Sequence, residues 1–208
     1  ARSIKAGAID FISKRSAGVP GMAKVIRSYI AGLGKRQDDE ALGREIAARV
    51  GAVAASRSMI DVFTAVAKAH RNGQMPVLIT GETGVGKDVI AAAVALRPDS
   101  KRLVSVDCGA ISETLADSEL FGHVRGAFTG ADSTKEGKFQ VAHNGDLFLD
   151  EIGNLKRGIQ DKLLRALQEQ RFTPVGSNRE IEVNVRIIAA TNRNLEEMIT
   201  KNEFREDL

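Results

Sequence analysis

The sequence has a single cysteine and no long apolar segment among its 208 residues. One cysteine is too few for an internal disulfide, and Cys108 stands in an apolar stretch. We interpret it as a small buried residue of a protein in a reducing compartment, the cytoplasm. The longest apolar run, at 89–96, is far below the roughly 20 residues that cross a bilayer, and no signal-peptide pattern opens the sequence. We therefore expect a soluble protein with no membrane partner.

Neither sign of charge dominates the composition. Charged residues make up 27% of the sequence and hydrophobic residues 43%, which is sufficient for a packed core. The 30 basic residues are spread among 27 acidic ones, so the net charge of +3 gives little indication of nucleic-acid binding. The sequence also contains no internal repeat and no low-complexity tract. This composition predicts ordinary globular structure.

Strand and helix patterns alternate beyond residue 50. Apolar residues at helical spacing precede a short strand pattern that ends in a glycine-rich turn, and an amphipathic helix pattern separates the last two strand patterns. Such alternation predicts an α/β fold with a central parallel sheet flanked by helices. The predicted strands lie at 76–80, 103–107, 147–150 and 185–191.

The residues before 50 follow two other patterns. Residues 1–34 are too few for a domain and carry a strand pattern at 8–14 between two helical stretches. Residues 35–49 are polar and densely charged, with few side chains suited to burial, so we interpret them as a linker that is helical in part. The main domain is predicted to occupy residues 50–208.

The glycine-rich turn after the predicted strand at 76–80 has the form of a P-loop. Its glycines let successive N–H groups point at phosphate oxygens, the following helix adds its positive end, and Lys87 would reach the β- and γ-phosphates. The motif predicts a nucleoside triphosphate ligand, with a ligand-free turn as the alternative. Asp88 stands where a Ser or Thr hydroxyl would usually meet Mg²⁺. The motif residues are Gly81, Glu82, Thr83, Gly84, Val85, Gly86 and Lys87.

Polar side chains end two later predicted strands. Asp150 would hold Mg²⁺, directly or through water, and Glu151 would orient the attacking water of a phosphoryl transfer. Solvated acids at a strand end are the alternative. Asn192 follows Thr191 at the end of the strand at 185–191, where it would contact the γ-phosphate or the attacking water, unless these residues form an ordinary turn. Together with the P-loop, these side chains predict hydrolysis rather than binding alone.

A hexapeptide between these motifs resembles the GAFTGA signature of the sigma-54-dependent activators, the NtrC-like family. Its residues are Gly126, Ala127, Phe128, Thr129, Gly130 and Ala131. The resemblance extends over about 50–208 and implies an AAA+ ATPase domain. It also implies a hexameric ring that binds ATP between subunits and uses this loop to contact sigma-54 and open the closed promoter complex. Phe128 and Thr129, flanked by glycines, would offer an apolar face and a hydroxyl to a partner; the alternative places Phe128 in the core.

Further roles follow from the resemblance. It makes Asp88 a variant of the acidic residue expected after the P-loop lysine, and it adds Val50 and Gly51 to the nucleotide-binding residues. Arg205 matches an arginine that reaches the neighbouring subunit's nucleotide, where its charge would stabilise the transition state. A surface arginine is the alternative. A second loop at 172–178 is expected to assist the GAFTGA loop.

Three residues depart from the family pattern. Asp107 replaces an asparagine that usually restrains the catalytic glutamate, Asp146 replaces a threonine, and Lys156 replaces a proline. An ionised Asp107 would repel Glu151, whereas an asparagine would hydrogen-bond it, so we expect altered coupling between partner contact and hydrolysis. Restoring the asparagine without any change in activity would contradict this expectation.

Residues 1–34 resemble the end of a response-regulator receiver domain. Lys14 matches the signalling lysine, whereas Arg15 replaces the usual proline. The phosphorylated aspartate would lie upstream of this sequence, so Asp10 is not that site, and a cognate sensor kinase would act through the missing receiver portion. Beyond the end of the sequence the family has a second arginine, a fifth strand, a helical lid and a helix-turn-helix for promoter DNA. We therefore expect an incomplete ATPase domain.

Three functions are compatible with these residues. The first is an ATP-hydrolysing transcription activator. The second is a nucleotide-dependent module that binds sigma-54 without useful turnover, which Asp107 and the missing lid favour. The third is a general AAA+ remodelling ATPase acting on another protein, against which the hexapeptide argues. Measured hydrolysis separates the first two.

Overall fold

A parallel sheet with helices on both faces forms the centre of the protein. The computed structural model describes residues 9–10, 36–97 and 100–208. The strands are β1 (Ile9–Asp10), β2 (Val77–Thr80), β3 (Leu103–Asp107), β4 (Gly122–His123), β5 (Lys135–Glu136), β6 (Gly145–Asp150), β7 (Arg171–Phe172), β8 (Ile181–Glu182) and β9 (Val185–Thr191). The helices are α1 (Arg36–Arg49), α2 (Arg57–Arg71), α3 (Lys87–Ala95), α4 (Glu113–Phe121), α5 (Lys138–Val141), α6 (Arg157–Glu169) and α7 (Leu195–Thr200), with a short 3₁₀-helix at Ile152–Asn154.

The main sheet has the order β1-β2-β9-β6-β3, and every neighbouring pair is parallel. Thr80 lies opposite Thr191, and Asp107 lies opposite Asp150. Because these strands run in one direction, β2, β9, β6 and β3 all end at the same edge, and the residues that follow them lie close together. The pairs β4–β5 and β7–β8 form two antiparallel hairpins outside this sheet.

Alternate residues of the central strands face two separate apolar clusters. Leu147 and Leu149 of β6 pack into a cluster with α4, α6 and α7, whereas Phe148 packs into a cluster with α1, α2 and α3. Successive side chains of a strand point to opposite faces, so an uninterrupted apolar run marks a strand that is covered on both sides. Each fully buried side chain of this size contributes about 1.5–3 kcal/mol of transfer free energy.

The segment predicted as a linker forms the continuous helix α1. Ile46 and Ala47 are almost completely buried against α2, which corrects the expectation that few side chains here could be buried. Gly43 permits the close approach of the two helices, since a Cβ there would lie 2.7 Å from the main chain of Phe63. Charged residues cover the outer face of α1, and they obscured the buried positions in the sequence. The domain boundary at residue 50 stays a prediction.

The other predicted elements agree closely with the structure. The strands predicted at 103–107 and 185–191 are β3 and β9, and the predicted α/β class with a parallel sheet is confirmed. β6 begins two residues earlier than predicted, and β2 begins after Pro76, which has no N–H to donate to a ladder. Of the strand predicted at 8–14, residues 9–10 form β1; the remainder lies outside the described residues, as does most of 1–34. Within the described ranges, no helix is both long enough and apolar enough to cross a membrane.

Candidate functional site

The P-loop residues connect β2 to α3 at the carboxyl edge of the sheet. The Gly81 N–H donates to the Thr191 carbonyl oxygen at 3.1 Å, which ties the start of the loop to the end of β9. Gly84 and Gly86 have φ angles of +78° and +88°, a conformation that side chains with a Cβ rarely adopt. These glycines permit the sharp turn into the N-terminus of α3, where main-chain N–H groups can meet an anionic ligand.

Lys87 lies at the first position of α3 with only 7% of its side chain exposed. Its Nζ donates to the carbonyl oxygens of Gly81 and Glu82 at 3.2 and 3.3 Å. The same ammonium lies 3.3 Å from Glu151 Oε1. The P-loop lysine and the carboxylate that follows β6, predicted separately, thus form an ion pair. Asp88, the next residue, is exposed in the first turn of α3.

Asp150 and Glu151 occupy different conformations at the end of β6. Glu151 has a φ of +51°, so the chain turns sharply there, and its N–H donates to Asp150 Oδ1 at 2.9 Å. Burial raises the pKa of the Asp150 carboxyl, and the charge of Glu151 raises it further, while the N–H of Glu151 and the charge of Lys87 act in the opposite direction. A cation beside Asp150 would relieve this clustering of negative charge.

The residues present fit a Mg²⁺ ion that is only partly held by protein. In the described part of the chain, no group of three His, Cys, Asp or Glu side chains is placed to enclose a metal. Mg²⁺ usually binds one or two carboxylates together with substrate phosphates and water, rather than a protein cage. Asp150, partly buried at the strand end, is the carboxylate to which the sequence analysis assigned that role, and the assignment stays a prediction.

Asn192 joins the same group of residues from the end of β9. Its main-chain N–H donates to Glu151 Oε2 at 3.2 Å, and its side-chain Nδ2 donates to Thr83 Oγ1 at 2.9 Å. The structure thus brings together Lys87, Glu151 and Asn192, which the sequence analysis singled out. The contact with Thr83 was missed, because no local pattern relates two residues 109 positions apart.

Asp107, the first departure from the family pattern, does not contact Glu151 through a hydrogen bond. Its Oδ1 accepts from the N–H groups of Gly109 and Ala110 at 2.8 and 3.2 Å, which closes the turn after β3. Both oxygens of Glu151 have other partners, Lys87 and Asn192. The charge of Asp107 is the smallest of the causes that raise the Asp150 pKa. The altered coupling expected from Asp107 stays a prediction.

The other two departures lie away from this group. Asp146, fully buried at the start of β6, lies 3.3 Å from Arg97 Nη2 and 4.0 Å from Arg186 Nη1. Arg186 also donates to main-chain carbonyl oxygens of Met75 and Ala69 at 2.8 and 3.0 Å. Lys156 occupies the N-cap of α6 with an extended backbone.

Residues 126–131, which we call the first loop, form a tight turn beyond β4. The Gly126 N–H donates to the Ala131 carbonyl oxygen at 2.9 Å, and Gly126 and Gly130 have φ angles of +80° and +94°. Phe128 is 38% exposed, so the alternative that placed it in the core is wrong. The rings of Phe128 and the buried His123 form a T-shaped contact, with ring centroids 5.0 Å apart.

Residues 172–178, which we call the second loop, are bonded to the base of the first loop. The Val124 N–H donates to the Val175 carbonyl oxygen at 3.1 Å, and the Val175 N–H donates to Gly122 at 2.9 Å. At Gly176 a Cβ would lie only 2.6 Å from the Ala127 Cβ. A cleft of about 540 Å³ separates the two hairpins beside these bonds. These bonds show that the two loops are in contact. That the second loop assists the first stays a prediction.

Arg205 is held by acidic side chains of its own chain. Its guanidinium donates to Asp161 Oδ1 at 2.6 Å and to both oxygens of Asp207 at 2.6 and 2.7 Å, and these bonds raise its pKa. Among the described residues, no hydrogen bond or ion pair connects Arg205, Val50 or Gly51 to the group around Lys87. Val50 and Gly51 follow α1, and their N–H groups donate to carbonyl oxygens of its last turn. Their predicted nucleotide contacts are therefore still predictions.

The main chain beside Arg205 is positioned by one buried amide. Gln160 of α6 is fully buried, and its Oε1 accepts from the Arg205 N–H at 2.9 Å. Its Nε2 donates to the carbonyl oxygens of Leu155 and Glu203 at 2.7 and 3.0 Å. Glu203 also pairs with Arg193, next to Asn192, at 3.0 Å.

Known proteins with similar sequences are named as regulatory proteins. A family model described as "Sigma-54 interaction domain" matches residues 52–208. The "Transcriptional regulatory protein GlrR" of Escherichia coli is 51% identical over 144 residues, which are 68% of this chain and 32% of that protein. The "Nif-specific regulatory protein" of Herbaspirillum seropedicae is 48% identical over 157 residues, which are 74% of this chain and 28% of that protein. The chain thus spans about a third of the length of these relatives.

Crystal structures of one protein, NtrX from Brucella abortus, share the fold. One has a TM-score of 0.66 at 32% identity and covers 99% of this chain and 45% of NtrX. NtrX has also been crystallised in complex with ADP and with ATP; the ATP complex has a TM-score of 0.63 at 29% identity over 99% of this chain and 43% of NtrX.

Proposed function

Because the chain belongs to the family of sigma-54 interaction domains, we propose that it binds and hydrolyses ATP and uses this reaction to remodel the closed promoter complex of sigma-54 RNA polymerase. The observation that most directly supports hydrolysis is the approach of Lys87 to Glu151, 3.3 Å apart, at the edge where the parallel strands end. The complexes of NtrX with ATP and ADP support the choice of nucleotide.

The residues around Lys87 have separate proposed roles in phosphoryl transfer. An arriving phosphate competes with Glu151 for the Lys87 ammonium, because the phosphate carries more negative charge and meets the α3 N-terminus as well. Glu151 Oε1 is then free to orient the attacking water and to accept its proton. Mg²⁺ held by Asp150 would neutralise charge on the phosphates. We propose that Asn192 senses the γ-phosphate.

The first loop is the proposed contact with sigma-54. Phe128 and Thr129 are exposed between two glycines with positive φ angles, and the second loop supports the base of the turn. In the proposed hexameric ring, Arg205 of one subunit acts at the nucleotide of the next, exchanging Asp161 and Asp207 for phosphate oxygens. Promoter DNA and a sensor kinase would be engaged by parts of the two-component response regulator outside these residues, in the cytoplasm.

Hydrolysis is tested by replacing the proposed base. Glu151→Gln keeps the shape of the side chain but removes its basicity, so kcat for ATP should fall by about 100-fold or more while ATP still binds. The control, Glu196→Gln, changes an exposed carboxyl in the first turn of α7 and should leave kcat within about twofold. A Glu151→Gln protein that turns over ATP as fast as the unaltered chain would show that another group activates water.

The partner contact is tested by binding to purified sigma-54 in the presence of a transition-state analogue of ATP hydrolysis. Thr129→Ala and Phe128→Ala should each abolish the trapped complex, and Thr200→Ala, at the end of α7, should leave it intact. Equal binding by all three variants would remove the first loop from the interface.

One observation favours a second candidate function, a nucleotide-dependent module that binds sigma-54 without turnover. Asp107 Oδ1 closes the turn after β3 instead of restraining Glu151. Trapped binding that needs Thr129, combined with no hydrolysis above the Glu151→Gln level, would establish this candidate in place of the first.

A further inference from the structure

Thr83 is the P-loop residue whose side chain crosses to the opposite wall of the site. Its Oγ1 accepts the Asn192 Nδ2 donor at 2.9 Å, so a residue before α3 is bonded to the residue after β9. Asn192 in turn donates its main-chain N–H to Glu151 Oε2 at 3.2 Å. One hydroxyl therefore connects to the proposed catalytic carboxylate through a single intermediate residue.

The second restraint on Glu151 belongs to Lys87. Its ammonium lies 3.3 Å from Glu151 Oε1, and it also donates to two P-loop carbonyl oxygens. When Lys87 turns to a bound phosphate, this restraint is lost, and the Asn192 N–H is the remaining hydrogen-bond donor to Glu151 in the described structure. Asp107 does not replace it, because its Oδ1 closes the turn at Gly109 and Ala110.

We propose that Thr83 is a positioning residue for ATP hydrolysis: its hydroxyl holds the Asn192 carboxamide, and this keeps the Asn192 N–H on Glu151 while Lys87 binds phosphate. This inference rests on the proposed hydrolysis of ATP. It assigns to Thr83 a part in the orientation of Glu151, separate from any contact between the P-loop main chain and the nucleotide.

Thr83→Val tests the proposal because valine keeps the β-branched shape and removes only the hydroxyl. We expect kcat to fall by about twofold to tenfold, the range that one neutral hydrogen bond supplies, with KM for ATP unchanged. Thr83→Ser should restore kcat, and the matched control Thr200→Val, on an exposed hydroxyl of α7, should not alter it. An unchanged or higher kcat would overturn the proposal. So would a loss confined to KM, since Thr83 would then contact the nucleotide instead.

A double-mutant cycle checks the route through Asn192. Asn192→Ala should lower kcat by itself, and adding Thr83→Val to it should have no further effect. Independent, multiplicative losses would show that Thr83 acts by another path.

A second measurement does not depend on turnover. Hydrogen exchange of the Asn192 main-chain N–H, followed by NMR in the nucleotide-free chain, should be faster in Thr83→Val than in Thr83→Ser or the unaltered chain. Equal protection in all three would overturn the proposal even in a chain that hydrolyses ATP. If the unaltered chain does not hydrolyse ATP but the expected difference in hydrogen exchange is observed, the result would instead count against the proposed function.

Discussion

Replacing Asp146 with asparagine measures what the buried charge cluster contributes to stability. The Asp146 carboxylate is fully buried beside Arg97 and Arg186, whose side chains are 3% and 0% exposed. Asparagine has nearly the same shape, so the substitution removes charge without creating a cavity. Both guanidinium groups then stay in the interior without this carboxylate.

The expected cost is large because the carboxylate and both guanidinium groups are buried. Removing one partner of a buried ion pair typically costs about 3–5 kcal/mol, whereas an exposed pair contributes about 0–1 kcal/mol. Glu169→Gln is the matched control, since Glu169 and Arg171 form a pair at 3.2 Å with both side chains about half exposed. Asp146→Thr, which restores the family residue, should be as costly as Asp146→Asn, because the two arginines remain.

Equilibrium unfolding in urea gives the free energy of unfolding for each variant. Asp146→Asn should lower it by about 3–5 kcal/mol, which corresponds to a fall in Tm of roughly 6–20 °C for a domain of this size. Glu169→Gln should change it by less than about 1 kcal/mol. If both variants lose the same small amount, the cluster is better solvated than its burial indicates, and the reasoning is refuted.

Two further predictions concern the thiol and the second loop. Burial raises the pKa of Cys108 from about 9 to about 12, so iodoacetamide at pH 8 should label this thiol only in denaturant. Between these two pKa values only the unfolded chain loses the thiol proton, so the free energy of unfolding should fall as the pH rises. Equal labelling of the folded and unfolded chains would refute this prediction. Gly176→Ala should destabilise the chain more than Gly51→Ala in urea unfolding and should weaken trapped sigma-54 binding. Both glycines have positive φ angles, but only at Gly176 would the new Cβ meet Ala127; equal losses would show that backbone strain alone matters.

The strands and helices that could be predicted are those whose own segment of sequence has the apolar spacing of a strand or a helix. β9 contains an apolar run at 187–190 that is buried on both faces, and β3 has apolar residues at 103, 104 and 106, so each segment shows a strand pattern of its own. The burial of α1 was underestimated because its buried positions, such as Ile46, lie among many charged residues. The need for glycine at position 43 follows only from its close contact with Phe63 in α2.

The candidate site divides in the same way. Lys87, Glu151 and Asn192 could be placed together because parallel strands end at one edge, which follows from topology alone. The hydrogen bond from Asn192 to Thr83 depends on side-chain reach across that edge, and the bonds of Arg205 to Asp161 depend on the course of a segment without regular structure. Neither of these two contacts can be predicted from the spacing of residues in the sequence.

Gln160 has a consequence for the residues that follow α7. The chain from 201 to 208 has no helix or strand, yet the amide of Gln160 bonds to it twice, at Glu203 and Arg205, as a neighbouring strand would. The Arg205 N–H is donated to Gln160, so its hydrogen exchange should follow the local opening of α6 rather than that of a frayed terminus. The N–H groups of Glu203 and Phe204 donate instead to the Met198 carbonyl oxygen of α7. The main chain at Arg205 is thus anchored to a helix residue 45 positions earlier in the chain.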